Sequence, residues 1–205
     1  MIANDGTEWK FNPPAAPHFG GKWEAGVKSV KYHLQRVAGN ILLTYEEFTT
    51  LLFQIEAVLN SRPLTPLTED PEDMNALTPG HFLIGCAPSI IPEPSIEQSK
   101  SSHLTRWELI RQMLESFWTR WSKECLQRYY AIYKWNTSNS SLKEGGLVLV
   151  IDERYPPSKW PLGRIIQIHP GKDGLTRVVT IRTQTSIFKR PITKICPLPV
   201  TQEIL

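Results

Sequence analysis

Apolar residues recur along this chain with two rhythms, helical in its first two thirds and alternating in its last. Val27, Val30, Leu34 and Val37 fall three or four residues apart, which predicts a helix with one core-seeking face. Phe48, Leu51, Leu52, Ile55, Val58 and Leu59 mark a second helix. Thr44 and Glu47 open it at capping-box spacing, and Asn60 and Pro63 stop it. A longer helix is predicted from about Leu104, where Trp107, Ile110, Leu114, Phe117 and Trp121 form an aromatic-rich packing stripe, with Arg106, Arg111, Arg120, Lys123, Arg128 and Lys134 on its other sides. Beyond it, Leu147 to Ile151, Gly163 to His169, Arg177 to Arg182 and Ser186 to Arg190 read as short strands, and Pro170 to Gly174 as a hairpin turn.

The connecting stretches are equally legible. Trp9 and Phe11 alternate with polar neighbours as a short strand does. Pro13, Pro14 and Pro17 then force an extended loop. Gly20 and Gly21 read as a hinge before the first helix. From Thr65 to Ser102 the chain is rich in Pro, Ser, Thr and acids, with a brief apolar break at His81 to Ile84, so it reads as the edge of a core followed by a linker. The expected class is α+β, with boundaries at 1–85, 86–103 (linker), 104–135 (helical connector) and 142–199 (small barrel of SH3 type).

With 205 residues the chain can bury a sizeable core. The net charge of +3 hides an asymmetry: residues 1–99 carry 6 Lys/Arg against 12 Asp/Glu, and residues 100–205 carry 17 against 8. A net +9 on the second half suits a surface that follows phosphates, although mild basicity is also common in proteins that bind none. Cys86, Cys125 and Cys196 are odd in number and far apart, which suggests neither a disulfide framework nor a zinc site and points to a reducing compartment. The five histidines lack metal-ligand spacing, and no signal peptide or long apolar run is visible.

One constellation carries chemistry. Glu24, Lys28, Lys31 and Gln35 recur on a face of the first helix apart from its apolar stripe. A carboxylate beside two ammonium groups suits a place where a metal ion and a phosphodiester meet. The same spacing also suits an ordinary solvated helix with an acid in its first turn.

The Pro-rich turn, Gly20-Gly21 and the Trp23-Glu24 helix start resemble the end of the catalytic core of retrotransposon integrases, most closely the Pao/BEL group. Further resemblances follow in order at Leu59-Asn-Ser-Arg-Pro-Leu64, Leu77-Thr-Pro-Gly-His-Phe-Leu-Ile-Gly85, Trp118-Thr-Arg-Trp-Ser-Lys-Glu124 and Trp160-Pro-Leu-Gly-Arg164. The resemblance implies that Glu24 is the third acid of an Asp, Asp, Glu set holding Mg2+ or Mn2+ in the full-length enzyme, and that Lys28 and Lys31 contact DNA ends. It implies a ribonuclease-H-like core, here expected to be truncated to one strand and two helices, and a C-terminal SH3-like barrel. Asn4-Asp5-Gly6-Thr7 transposes the run around the family's second Asp and lies too close to Glu24, so Asp5 is read as a turn residue. The chain is therefore expected to be an integrase fragment that binds DNA in the nucleus, or in a cytoplasmic transposon particle, without catalysis or a metal of its own. A host-retained DNA- or chromatin-binding module is the alternative. Homo-oligomers are compatible with either, a membrane with neither.

Arg164, Lys172, Arg177, Arg182, Lys189 and Arg190 would make the barrel basic, though each also suits a solvated surface. Gly146 stands where the resemblance implies an Asp at the barrel's opening. A third reading, peptide recognition by the barrel, needs Tyr155, Trp160 and Phe188 to form one aromatic cage.

Overall fold

The computed structural model describes residues 13–14, 17–68, 70–88, 105–136, 142–152 and 155–199. The strand expected at Trp9 and Phe11, the turn at Asp5 and the linker beyond Pro88 lie outside them. Residues 1–40 form one compact unit and residues 41–205 another.

In the first unit a 3-10 turn, Pro17–Gly20, leads into α1, Gly21–Ala38. Gly20 caps the helix at φ −96° and ψ 0°, and Gly21 is helical, so neither glycine of the expected hinge uses the left-handed conformation that requires glycine. Gly39, at φ +52°, does use it, and its N–H closes on the Gln35 carbonyl at 3.2 Å. The apolar stripe is not a core face: Val27 is 46% exposed and Val30, Leu34 and Val37 are half-buried, while Ser29 and His33 are buried. The cause is size, since a unit of about forty residues has too little chain to close a core of its own.

Among the described residues the second unit holds three α-helices, a 3-10 turn at Ile192–Lys194 and two sheets. α2, Tyr45–Asn60, begins at the expected capping box: Glu47 N–H donates to Thr44 Oγ1 at 3.3 Å, and Thr44 N–H to Glu47 Oε2 at 2.8 Å. Leu51, Ile55 and Val58 are its buried face, whereas Phe48, assigned to that face by spacing, is exposed. A short ladder of β1, Thr65–Pro66, and β2, Ala76–Leu77, precedes α3, Pro79–Ile84. α4, Arg106–Asn136, packs beside α2. Leu109, Ile110, Met113, Leu114, Phe117, Trp118, Trp121 and Cys125 line its buried side. Trp107 belongs to the stripe by spacing, yet it is half exposed because it sits in the first turn, at the end of the packed surface.

The large sheet contains β3 (Leu147–Val150), β4 (Leu162–Pro170), β5 (Thr176–Arg182), β6 (Ile187–Pro191) and β7 (Ile195–Pro197). It is antiparallel and open, in the order β6-β5-β4-β3-β7. β3 is an unbroken apolar run because both its faces are covered. Val148 and Val150 join Ile165, Val179, Ile181 and Ile195 in a core on one face. Leu147 and Leu149 join Ala76, Cys196 and Leu198 on the other, where Leu126 and Tyr129 of α4 close over them. Burial there pushes the Cys125 thiol up to about 11 and the Cys196 thiol to about 12, so neither is a ready nucleophile.

Glycines mark two turns. Gly174 holds φ +75° in the expected hairpin, where Gly171 N–H donates to Leu175 O at 2.9 Å. A Cβ on Gly146 would lie 3.0 Å from the Lys143 carbonyl, a tight contact at the position where the resemblance implies Asp.

The helix expected to be a connector is instead part of the second unit. Trp160, in the β3–β4 loop, meets Trp118 edge-on at 4.8 Å between ring centroids and Trp121 at 6.0 Å, and donates its Nε1–H to Ser61 Oγ at 3.1 Å. Trp118 Nε1–H in turn donates to the Tyr155 carbonyl at 3.1 Å. These contacts carry the unit across the boundaries at 86–103 and 135–142 that composition suggests.

Candidate nucleic-acid interface

Glu24, Lys28 and Lys31 are all exposed along one side of α1. At about 1.5 Å of rise per residue the row is roughly 10 Å long, enough to meet two neighbouring phosphates of one strand. Glu24 stands in the first turn, where a carboxylate is favoured by the helix dipole. Among the described residues no three His, Cys, Asp or Glu side chains gather closely enough to hold a metal ion. A divalent ion at Glu24 would thus find fewer than three such ligands among the described residues, too few for the two-metal chemistry of the acid set. A basic residue that spacing did not single out lies near the end of the same helix: Arg36 stacks its guanidinium 3.5 Å over the Tyr32 ring and donates from Nη1 to the Tyr32 carbonyl at 2.9 Å. The Tyr32-Arg36 spacing of four was the available signal.

The cations of the large sheet do not share one surface. Arg164 is the clearest departure from a phosphate-facing role, because it is only 6% exposed. Its Nε and Nη2 donate to the Asp73 carbonyl at 3.0 and 2.6 Å, Nη2 also to the Asp70 carbonyl at 2.6 Å, and Nη1 to the Gly145 carbonyl at 2.7 Å. This fork pins the loop before β2 to the sheet. Arg182 serves the same loop, donating to Glu72 Oε1 at 2.9 Å and the Pro71 carbonyl at 3.2 Å. Arg177 grips Asp173 with two bonds, 3.0 and 2.6 Å, and holds that carboxyl below its usual range.

Lys172, Lys189 and Arg190 remain. Lys172 is exposed in the β4–β5 hairpin and Lys189 on β6, opposite Thr180. Neighbouring strand residues face opposite ways, so Lys189 and Arg190 point to different sides of the sheet. Arg190 lies over the Phe188 ring, with its guanidinium carbon 4.6 Å from the centroid. Phe188 packs on the Val179 and Ile181 core, whereas Trp160 belongs to the core on the other face. Phe188 therefore lies apart from Trp160, no single three-ring cage forms, and peptide recognition by that trio is discarded.

No helix among the described residues is long and apolar enough to cross a membrane. Residues 105–198, which are α4 and the large sheet, match a family model described as a family of unknown function (DUF5641). No curated protein and no solved structure matches the chain.

Proposed function

We propose that this chain is a retrotransposon-type integrase polypeptide that binds DNA through backbone phosphates and does not catalyse integration by itself. The observation that carries this reading is the exposed row of Glu24, Lys28 and Lys31 at the start of α1, the place and order that the integrase resemblance implies for a metal-binding acid and its DNA contacts. The exposure of Leu42, Tyr45, Phe48 and Phe53 around α2 supports it, since further chain of an integrase core would pack on such a surface. An SH3-like barrel remains the finer reading of the five-stranded sheet. DNA is the partner under this reading, and the nucleus its place of action.

With Arg164, Arg177 and Arg182 engaged internally, we expect two to four phosphate contacts. Duplex binding by the full chain, followed by fluorescence anisotropy, should then fall with salt at a log–log slope of roughly −2 to −4, without sequence preference. Lys28→Glu with Lys31→Glu should cut that slope by about 1 to 2. Binding that ignores salt, or a double variant that binds as tightly as the parent, refutes the proposal. The family match to α4 and the sheet alone favours a second reading, a non-enzymatic DNA- or chromatin-binding module. That reading gains if reversals at Lys172 and Lys189 abolish binding while those on α1 do nothing.

A further inference from the structure

The loop between β3 and β4, the chain from Ser61 to Pro88 and the turn after β5 line an open cleft of about 460 Å³. We propose that this cleft docks an extended, proline-containing peptide segment that carries a carboxylate, a role independent of the DNA reading. Three observations point to this class of ligand.

The walls present Tyr155 and Trp160 together with Pro63, Pro88 and Pro161. Aromatic rings beside prolines form the apolar, slotted surface on which a polyproline-type strand loses little entropy in binding. Polar groups in the lining come from Thr183, Gln184 and Thr185, neutral side chains that can both donate to and accept from a peptide backbone.

Charge in the cleft has one sign. Among its described lining residues Lys159 carries the one ammonium, and no carboxylate is present. A single ammonium suits a single carboxylate on the ligand. A nucleic-acid strand, with a phosphate at every nucleotide, would call for several cations along its path.

Ser158, beside Lys159, is the one non-glycine residue at positive φ among the described residues, at +63°. Its Oγ is buried and makes no hydrogen bond. Strained backbone of this kind persists at ligand clamps, and a buried hydroxyl without a partner is a cost that an incoming acceptor removes. A peptide carbonyl bound beside this loop supplies that acceptor.

The test uses the full chain and a fluorescein-labelled peptide, Pro-Pro-Glu-Pro-Pro-Glu-Pro-Pro, in fluorescence polarisation. Its counterpart with Lys for Glu and a short oligothymidylate serve as competitors. Saturable micromolar binding of the acidic peptide is expected, with the Lys peptide at least tenfold weaker. Lys159→Glu, on an exposed side chain, should weaken the acidic peptide at least tenfold and reverse the preference. Ser158→Gly should raise the melting temperature by relieving the positive φ, yet weaken the peptide several-fold, a combination that a merely structural serine would not give. No saturation at millimolar peptide, indifference to Lys159→Glu, or stronger competition by the oligothymidylate would each overturn the proposal. So would loss of peptide binding through association of the chain with itself.

Discussion

Arg164 offers the sharpest test of whether a basic residue in this sheet serves the fold or the ligand. Replacing it with Met keeps most of the aliphatic stem and removes the guanidinium, which leaves the carbonyls of Asp70, Asp73 and Gly145 without their donor. Hydrogen bonds from a charged donor contribute about 1.5–3 kcal/mol each, and breaking a buried charged network costs about 3–5 kcal/mol. Asp70 and Gly145 lie at the surface, so water replaces part of what is lost there. The bonds to Asp73 are the less replaceable, which puts the expected loss near 3 kcal/mol. For a unit of this size that corresponds to a fall in melting temperature of roughly 6–12 °C by calorimetry or circular dichroism. Arg164→Lys should recover less than half of it, because one ammonium cannot reproduce a planar fork across three carbonyls. Duplex affinity, measured below the melting transition of both proteins, should change less than about twofold. A melting shift under about 2 °C, or a selective loss of DNA binding in a protein of unchanged stability, would refute the assignment of Arg164 as a structural clamp.

Two further outcomes follow from the same structure. Glu47 completes the capping box of α2 while accepting hydrogen bonds from Arg106, and the Arg106 guanidinium holds its carboxyl down at about 2 instead of 4.5. Its folded-state value is depressed, so the stabilisation is complete above about pH 4.5 and is lost as pH falls towards 2. Glu47→Gln should flatten the stability profile in that window and leave its shape above pH 5 unchanged, as urea titrations would show. Hydrogen exchange should protect Leu147 to Val150, buried on both faces, more strongly than Val27 to Leu34 of α1, and the reverse order would remove the account of α1 as a helix without a core of its own.

The features that local chemistry decides were legible in the sequence. Thr44 and Glu47 form the capping box their spacing announces, because both partners lie within one turn. The hairpin at Pro170 to Gly174 needed only its glycines and Asp173, whose Oδ1 accepts from Leu175 N–H at 3.1 Å. Periodicity gave α1, α2, α4 and the segments of β3 to β6, missed the short α3, β1, β2 and β7, and failed where burial depends on a distant neighbour. Val27 and Trp107 have the right spacing, yet about half of each stays exposed. Composition marked 86–103 as a break between domains, yet no local signal could reveal that Trp160 would reach Ser61, or Arg182 reach Glu72, across it.

The same limit explains why the candidate site was read too broadly. The sequence divides into an acidic first half and a basic second half, but within residues 41–205 these halves meet: Glu47 holds Arg106, Glu72 holds Arg182, and the carbonyls of Asp70 and Asp73 take up Arg164. An asymmetry along the chain thus cancels in part once the chain folds. A basic residue on a strand is available to a phosphate only when no carbonyl or carboxylate from a remote segment has claimed it, and strand periodicity carries no information about that. Lys172 and Lys189 sit in a hairpin and on an edge strand, where few segments can reach them, whereas Arg164 sits on the central strand β4, beside the turn before β3 and under the residues that precede β2. What the large sheet offers to DNA therefore comes from its edges, which is why a shallower salt slope is expected than a formal +9 on this half suggests.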